Sequence, residues 1–152
     1  NNFLSLIIIL VVFSLDRISK IKIIQQSQNS SIFINDFLNL ELVWNTGIGF
    51  GLFNLEAGLL YHLISTLILI VLLIILYFIL VSSDFDKYLY SLVFGGAAGN
   101  IFDRLNYFAV PDFIDFHINN YHWFTFNIAD IFISLGIILI ILKEIIFKHE
   151  NK

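Results

Sequence analysis

Apolar residues gather into four long stretches along this chain, and the polar residues between them arrive in compact clusters. The first stretch, Phe3 to Leu15, is about 20 Å long as a helix and too short to cross a bilayer alone. Its length suits a signal-peptide core, but no basic leader precedes it and no small-residue cleavage pattern follows. Extended through Asp16, Arg17, Ser19 and Lys20 to Ile24, it reaches roughly 22 residues, enough to cross. Lys20 and Lys22 then snorkel toward the interface. Asp16 and Lys20 stand at i, i+4, which predicts an ion pair along one helix face. Its expected role is structural rather than chemical.

The pattern changes at Gln25. Residues 25–31 are polar and turn-rich, after which Phe33, Leu38, Leu40, Leu42 and Trp44 alternate in part and predict short strands. Asn45-Thr46-Gly47-Ile48-Gly49-Phe50-Gly51 follows. Its alternating glycines match a phosphate loop only loosely, and neither Gly-Lys-Ser/Thr nor a βαβ context supports nucleotide binding. The stretch reads instead as a tight turn where backbone approaches a ligand or the bilayer, with the Asn45 amide directed inward.

Leu59 to Val81 is the cleanest span, broken only by Tyr61, His62, Ser65, Thr66 and Tyr77. His62, near one end, reads as an interfacial residue. After the connection 82–87, the third stretch contains Gly95 and Gly99 at small-xxx-small spacing, which allows close helix contact in lipid. It closes on Asn100, Asp103 and Arg104, which share a helix face and predict a mutually satisfied polar cluster. Pro111 pushes Val110 away from helical dihedrals and delivers Asp112 on extended backbone. The connection continues through Asp115, His117 and Tyr121-His122-Trp123-Phe124, an interfacial aromatic belt. Asn127 and Asp130, at i, i+3, open the last stretch.

The expected architecture is an all-α integral membrane protein in a single domain. It has four transmembrane helices, at about 3–24, 59–81, 88–105 and 124–142, joined on the far side by segments 25–57 and 106–123. An ionisable group at the bilayer centre costs about 2.5–3.5 kcal/mol on insertion scales, so each one is a functional-site hypothesis. Counting spans sends all of these groups to one side: the end of span one, the Asn45 loop, the end of span three and the start of span four. Lys and Arg divide four and four between the two sides, so the charge distribution sets no orientation.

Composition agrees with a membrane class. Hydrophobic residues make up 59% of the 152 residues, with 17 phenylalanines and 13% charged residues, and mean hydropathy is +0.89; soluble domains lie far from this. A formal charge of −4 argues neither for nor against a nucleic-acid partner, but no basic patch exists to grip phosphate. Cysteine is absent, so disulfides, thiolate nucleophiles and Cys-ligated metals are excluded.

The nucleophile options narrow quickly. There is no Gly-x-Ser-x-Gly elbow and no His-Glu-x-x-His helix. His117 and His122 lie near Asp112 and Asp115, but their spacing matches no common metal pattern, so no metal and no cofactor are expected. Carboxylates remain. Two aspartates a few Å apart resist joint ionisation and share a proton; one acts as general base on a water while its protonated partner polarises a carbonyl. That chemistry suits peptide hydrolysis. A proton-coupled transporter is the alternative from another class, but no internal repeat supports it.

Five blocks in order carry a resemblance: Asp16-Arg17-Ile18-Ser19-Lys20; Asn45-Thr46-Gly47; Gly95-Gly96-Ala97-Ala98-Gly99-Asn100-Ile101-Phe102-Asp103-Arg104; Val110-Pro111-Asp112-Phe113-Ile114-Asp115-Phe116; and Phe126-Asn127-Ile128-Ala129-Asp130. Together they resemble the signature blocks of the lipoprotein signal peptidases (signal peptidase II). The resemblance implies an aspartic endopeptidase of the bacterial inner membrane that removes signal peptides from prolipoproteins, cutting before a diacylglyceryl-modified cysteine. By position in the blocks, Asp112 and Asp130 correspond to the catalytic pair. Asn45, Gly47, Asn100, Arg104 and Asn127 correspond to lining or bracing residues, with Asp16 and Lys20 as structural support. Asp103 falls in an equally strong block, and its neighbour Arg104 suggests pairing. Asp115, if the chain is extended there, points opposite Asp112. Pro111 replaces the more usual valine. The resemblance also implies cytoplasmic termini, an extracytoplasmic site, and a small sheet and amphipathic element between helices one and two at the outer leaflet. Membrane lipid as surroundings, sensitivity to the cyclic peptide globomycin and a monomer complete the expectation.

Overall fold

Helices form where the apolar stretches lie, and the polar connections between them extend into strands. The computed structural model describes residues 1–26, 31–47, 58–119 and 121–150. In order these form α1 (Asn2–Gln26), β1 (Ile32–Asn35), β2 (Leu38–Asn45), α2 (Leu59–Val81), α3 (Asp84–Tyr107), β3 (Val110–Ile118), β4 (Tyr121–Phe126) and α4 (Ile128–Glu150). Most of the glycine-rich turn after Gly47 lies outside the described residues. By length and composition, one helix among the described residues, α2 over Tyr61–Val81, is apolar enough to cross a membrane.

Two expectations change. The protein is not all-α, and its sheet is not confined to the segment between the first two helices: both connections contribute to one antiparallel sheet ordered β1-β2-β3-β4. The final helix begins at Ile128 rather than 124, because Tyr121–Phe126 pairs with β3 instead of coiling. Alternating aromatics fit a pleated surface better than a helix start, and Phe124 stacks on its cross-strand partner Phe116 with ring centroids 5.5 Å apart. Pro111 is tolerated inside the sheet for a specific reason. Pairing with β4 begins only at Ile114, so at Pro111 the strand has β2 on one side alone.

The helix α3 is the hub, packed against α1, α2 and α4. The small-residue motif permits this, as expected. A Cβ at Gly95 would meet Val12 Cβ at 2.9 Å, one at Gly96 would meet the Ala129 carbonyl oxygen at 2.6 Å, and one at Gly99 would collide with the Asp16 carboxylate. What fills the junction is polar. Asp16, Lys20, Asp103 and Asn127 are 0% exposed, while Phe3, Leu10, Leu67, Leu80, Ile138 and Ile141 point outward. Polar groups inside and apolar side chains outside is the distribution a lipid environment selects.

Candidate active site

The polar junction begins on α1. The Lys20 ammonium donates to Asp16 Oδ2 and Asn100 Oδ1, each at 2.8 Å, and lies 2.7 Å from Asp103 Oδ2. The Asp16–Lys20 pair expected from spacing is therefore present, within a larger network. The other oxygen of Asp16 accepts from the Ala129 backbone N–H at 3.1 Å, satisfying an amide at the start of α4 that has no partner in its own helix. Asp103 also pairs with Arg17, whose guanidinium stands 4.6 Å from the centre of the Phe102 ring. Four charges thus balance inside the bundle, two of each sign.

The predicted local cluster of Asn100, Asp103 and Arg104 does not form. Each side chain reaches a different element: Asp103 goes to α1, Asn100 to α1 and α4, and Arg104 to the Asn45-Thr46-Gly47 turn. Sharing a face let them act together, but interhelical partners in a dry interior outcompete neighbours on the same helix. Arg104 donates to the Gly47 carbonyl and lies over the Tyr61 ring, while the Tyr61 hydroxyl donates to the Arg104 carbonyl at 3.2 Å. Tyr61, 1% exposed, was visible in the sequence only as an interruption of an apolar span. Its partner is 43 positions away, beyond the reach of any periodicity.

Asp112 and Asp130 come together through asparagine amides. On β3, Asp112 accepts from Asn45 Nδ2 at 2.8 Å through one oxygen and from Asn127 Nδ2 at 2.6 Å through the other. Asn127 caps α4 rather than lying along it. Its backbone N–H donates to Asp130 Oδ2 at 3.2 Å, and its side-chain oxygen accepts from the Asp130 N–H at 3.1 Å. This is the reciprocal geometry of a capping box, with Asn and Asp in place of Ser/Thr and Glu. The i, i+3 spacing read as one helix face therefore marks a helix start. Asn100 completes the arrangement by donating to Asp130 Oδ1 at 2.9 Å. Asn127 holds one acid with its side-chain amide and the other with its backbone, so the two carboxyls converge.

Asn45 does two tasks as well. While its Nδ2 holds Asp112, its Oδ1 accepts from the Gly47 N–H at 2.8 Å and closes a small turn. Arg104 braces that turn from α3. Burial in a poorly solvating site pushes the Asp112 carboxyl up to about 7, the charge of Asp130 adds to the rise, and the two amide hydrogen bonds and Lys20 oppose it. An acid poised near neutrality beside a second acid is suited to general acid–base work. Asp115, by contrast, lies on the other face of β3 among histidines, as the extended-chain expectation required.

Two apolar hollows meet at Asp130. One, of about 470 Å³, runs between α2 and α4 past Leu72, Val93 and Ile137 to Asn100, Arg104 and Asp130. The other, of about 310 Å³, is lined by Phe124, Phe126, Ile131 and Leu135.

Comparison with known proteins now decides the family. The family described as Signal peptidase (SPase) II matches residues 8–146. The chain belongs to the signal peptidase II family. It is 44% identical over 154 aligned positions to the lipoprotein signal peptidase of Pelagibacter ubique, covering 99% of this chain and 93% of that one. It is 36% identical to the lipoprotein signal peptidase of Anaplasma phagocytophilum, with 95% and 94% covered. A bacterial membrane enzyme solved by the in meso method at 2.3 Å resolution superposes with a TM-score of 0.85 at 31% identity, over 97% of this chain and 91% of its own. The fold is that of a membrane enzyme, and membership of the signal peptidase II family makes the protein a protease. The transporter alternative has no support.

Proposed function

We propose that this protein removes signal peptides from bacterial prolipoproteins, cutting N-terminal to the diacylglyceryl-modified cysteine, with Asp112 and Asp130 as the catalytic pair. The observation that carries this reading is the double engagement of Asn127, which holds Asp112 with its side chain and Asp130 with its backbone. Two acids so placed share a proton, and the pair titrates as a unit. The ionised member takes a proton from water as that water attacks the scissile carbonyl; the protonated member hydrogen-bonds the carbonyl oxygen as negative charge develops there. Collapse of the tetrahedral intermediate returns a proton to the leaving amine. Asn45, Asn100, Gly47 and Arg104 hold the acids and the adjoining turn, and Asp16, Lys20 and Asp103 lock the helices beneath them.

Apolar hollows on both sides of Asp130 suit a substrate with an apolar peptide on one side of the scissile bond and acyl chains on the other. In this reading all four helices cross the bacterial inner membrane and 1–152 is a single membrane domain. Both termini are cytoplasmic, and segments 25–57 and 106–123 with the sheet sit at the extracytoplasmic face. The enzyme acts as a monomer in contact with lipid and is sensitive to globomycin-type inhibitors. The absence of cysteine makes single-cysteine labelling a direct test of topology: introduced thiols at the termini should be protected from an impermeant reagent in intact cells, and one near Asn35 should react.

The decisive experiment is cleavage of a diacylglyceryl-modified fluorescent precursor by the purified protein. Asp112→Asn and Asp130→Asn should each lower turnover by about 10³-fold, the scale of general acid–base catalysis, while membrane levels stay normal. Full activity in either variant removes that residue from the mechanism.

A further inference from the structure

The opposite face of β3 holds a cluster that the peptidase reading leaves unused. Asp115, His117 and His122 each offer one ligand atom, and these atoms lie within 4.8 Å of one another. The sheet register creates this grouping: His117 and His122 are cross-strand partners with rings stacked at 5.3 Å, and Asp115 precedes His117 by two on the same strand face. His122 Nδ1 lies 2.7 Å from Asp115 Oδ2, and His117 Nδ1 lies 3.4 Å from the same oxygen.

We infer that Asp115, His117 and His122 bind a divalent transition-metal cation of the Zn²⁺ type. Two imidazoles and a carboxylate are a donor set suited to zinc, with water free to complete four-coordination. Metal–ligand distances of about 2.1 Å place tetrahedral ligand atoms about 3.4 Å apart, the separation already present between His117 and Asp115. No two of the three ligand atoms lie more than 4.8 Å apart, so adjustment of the exposed His122 side chain brings in the third ligand.

Beyond the His122–Asp115 hydrogen bond, independent observations point to a ligand. His117 is 7% exposed, yet among the described residues its Nδ1 has no hydrogen-bond partner. Asn39, the β2 partner of Asp115, likewise has a buried side-chain oxygen with no hydrogen-bond partner among the described residues. Buried polar atoms are nearly always satisfied. Two left unsatisfied on adjacent strands beside one carboxylate mark a place for a cation. A hollow of about 250 Å³ lined by Glu41, Asp115, His122 and Thr125 gives access, and Glu41 adds a second negative charge.

The consequence is mechanical. The β3–β4 hairpin carries Asp112 on its first strand and Asn127 immediately after its second. A cation joining the two strands would clasp the hairpin from which both sides of the site hang, without touching the reacting atoms. The expectation of no metal rested on linear spacing, which cannot anticipate a pairing imposed by a strand register.

The test uses the full chain in detergent, stripped with chelator and titrated first with Co²⁺ as a spectroscopic probe and then with Zn²⁺ in competition. One saturable equivalent with a visible cobalt d–d band is expected, together with a thermal midpoint that rises with zinc. His122→Ala, at an exposed position, should weaken zinc binding by at least about tenfold, the loss that even an outer partner of a metal ligand causes. It should also abolish the thermal shift, whereas His62→Ala should change neither. No saturable uptake, or uptake indifferent to His122→Ala, overturns the inference. Repeating the titration on Asp112→Asn separates this site from the peptidase reading, because zinc uptake should survive there without turnover.

Discussion

Asp112 and Asp115 stand three residues apart on one strand and are almost equally buried, at 2% and 3% exposure. They nevertheless belong to different chemistries. The odd spacing turns their side chains to opposite faces of the sheet. Asp112 meets asparagine amides and a second acid, and its carboxyl is pushed up to about 7. Asp115 meets two imidazoles. Neither residue type nor burial separates them; the partners supplied by other elements do. Under the proposed function and the inferred cation site, one strand carries a peptidase acid on one face and a cation-binding acid on the other.

The largest effect expected from this contrast is in turnover. Asp112→Asn should cost about 10³-fold, whereas Asp115→Asn should cost at most about tenfold, through a looser hairpin. Equal losses in single-turnover cleavage would erase the distinction between the faces. A smaller effect is expected at Asn127, which links the two acids without reacting. Asn127→Ala should lower kcat by about 10²-fold, as loss of a positioning hydrogen bond does, and destabilise the start of α4 by about 1 kcal/mol. A thermal midpoint that falls without loss of kcat would reduce Asn127 to a helix cap.

The smallest effect is a shift in pH dependence. In the proposed mechanism the pair needs one shared proton, so activity should persist below about pH 7 and decline above it. The Asn45 amide lowers the Asp112 value, so Asn45→Ala should move the alkaline limb to higher pH. A limb moving the other way contradicts the assignment. Stability carries the same sign. The unfolded carboxyl titrates near 3.8 and the folded one near 7, so the folded state holds the extra proton between them and loses stability as pH rises through that window. Thermal midpoints measured across it give the check.

Much of the helical framework was legible because it depends on local spacing. The Asp16–Lys20 pair lies one helical turn apart, and Gly95 and Gly99 recur at the interval that lets helices meet closely; both appear as expected. Asp112 on extended backbone followed from Pro111, and the face reversal at Asp115 followed from strand period. The errors came where local patterns were ambiguous. Tyr121–Phe126 could have begun a helix, and only pairing with β3 made it a strand. Asn127 and Asp130 fitted a helix face as well as a capping box.

By itself the sequence determined where the chain could coil, where it had to turn, which polar groups would be expensive to bury, and the ordered blocks that mark the family. Partner choice belonged to the tertiary structure alone. Asp103 pairs with Arg17 and Lys20 instead of adjacent Arg104, Arg104 takes the Gly47 carbonyl and Tyr61, and Asp115 gathers two histidines through a strand register. The reason is physical. In a poorly solvating interior, each buried charge and amide must find its complement wherever packing brings one, and that position depends on how helices and strands slide past one another rather than on distance along the chain.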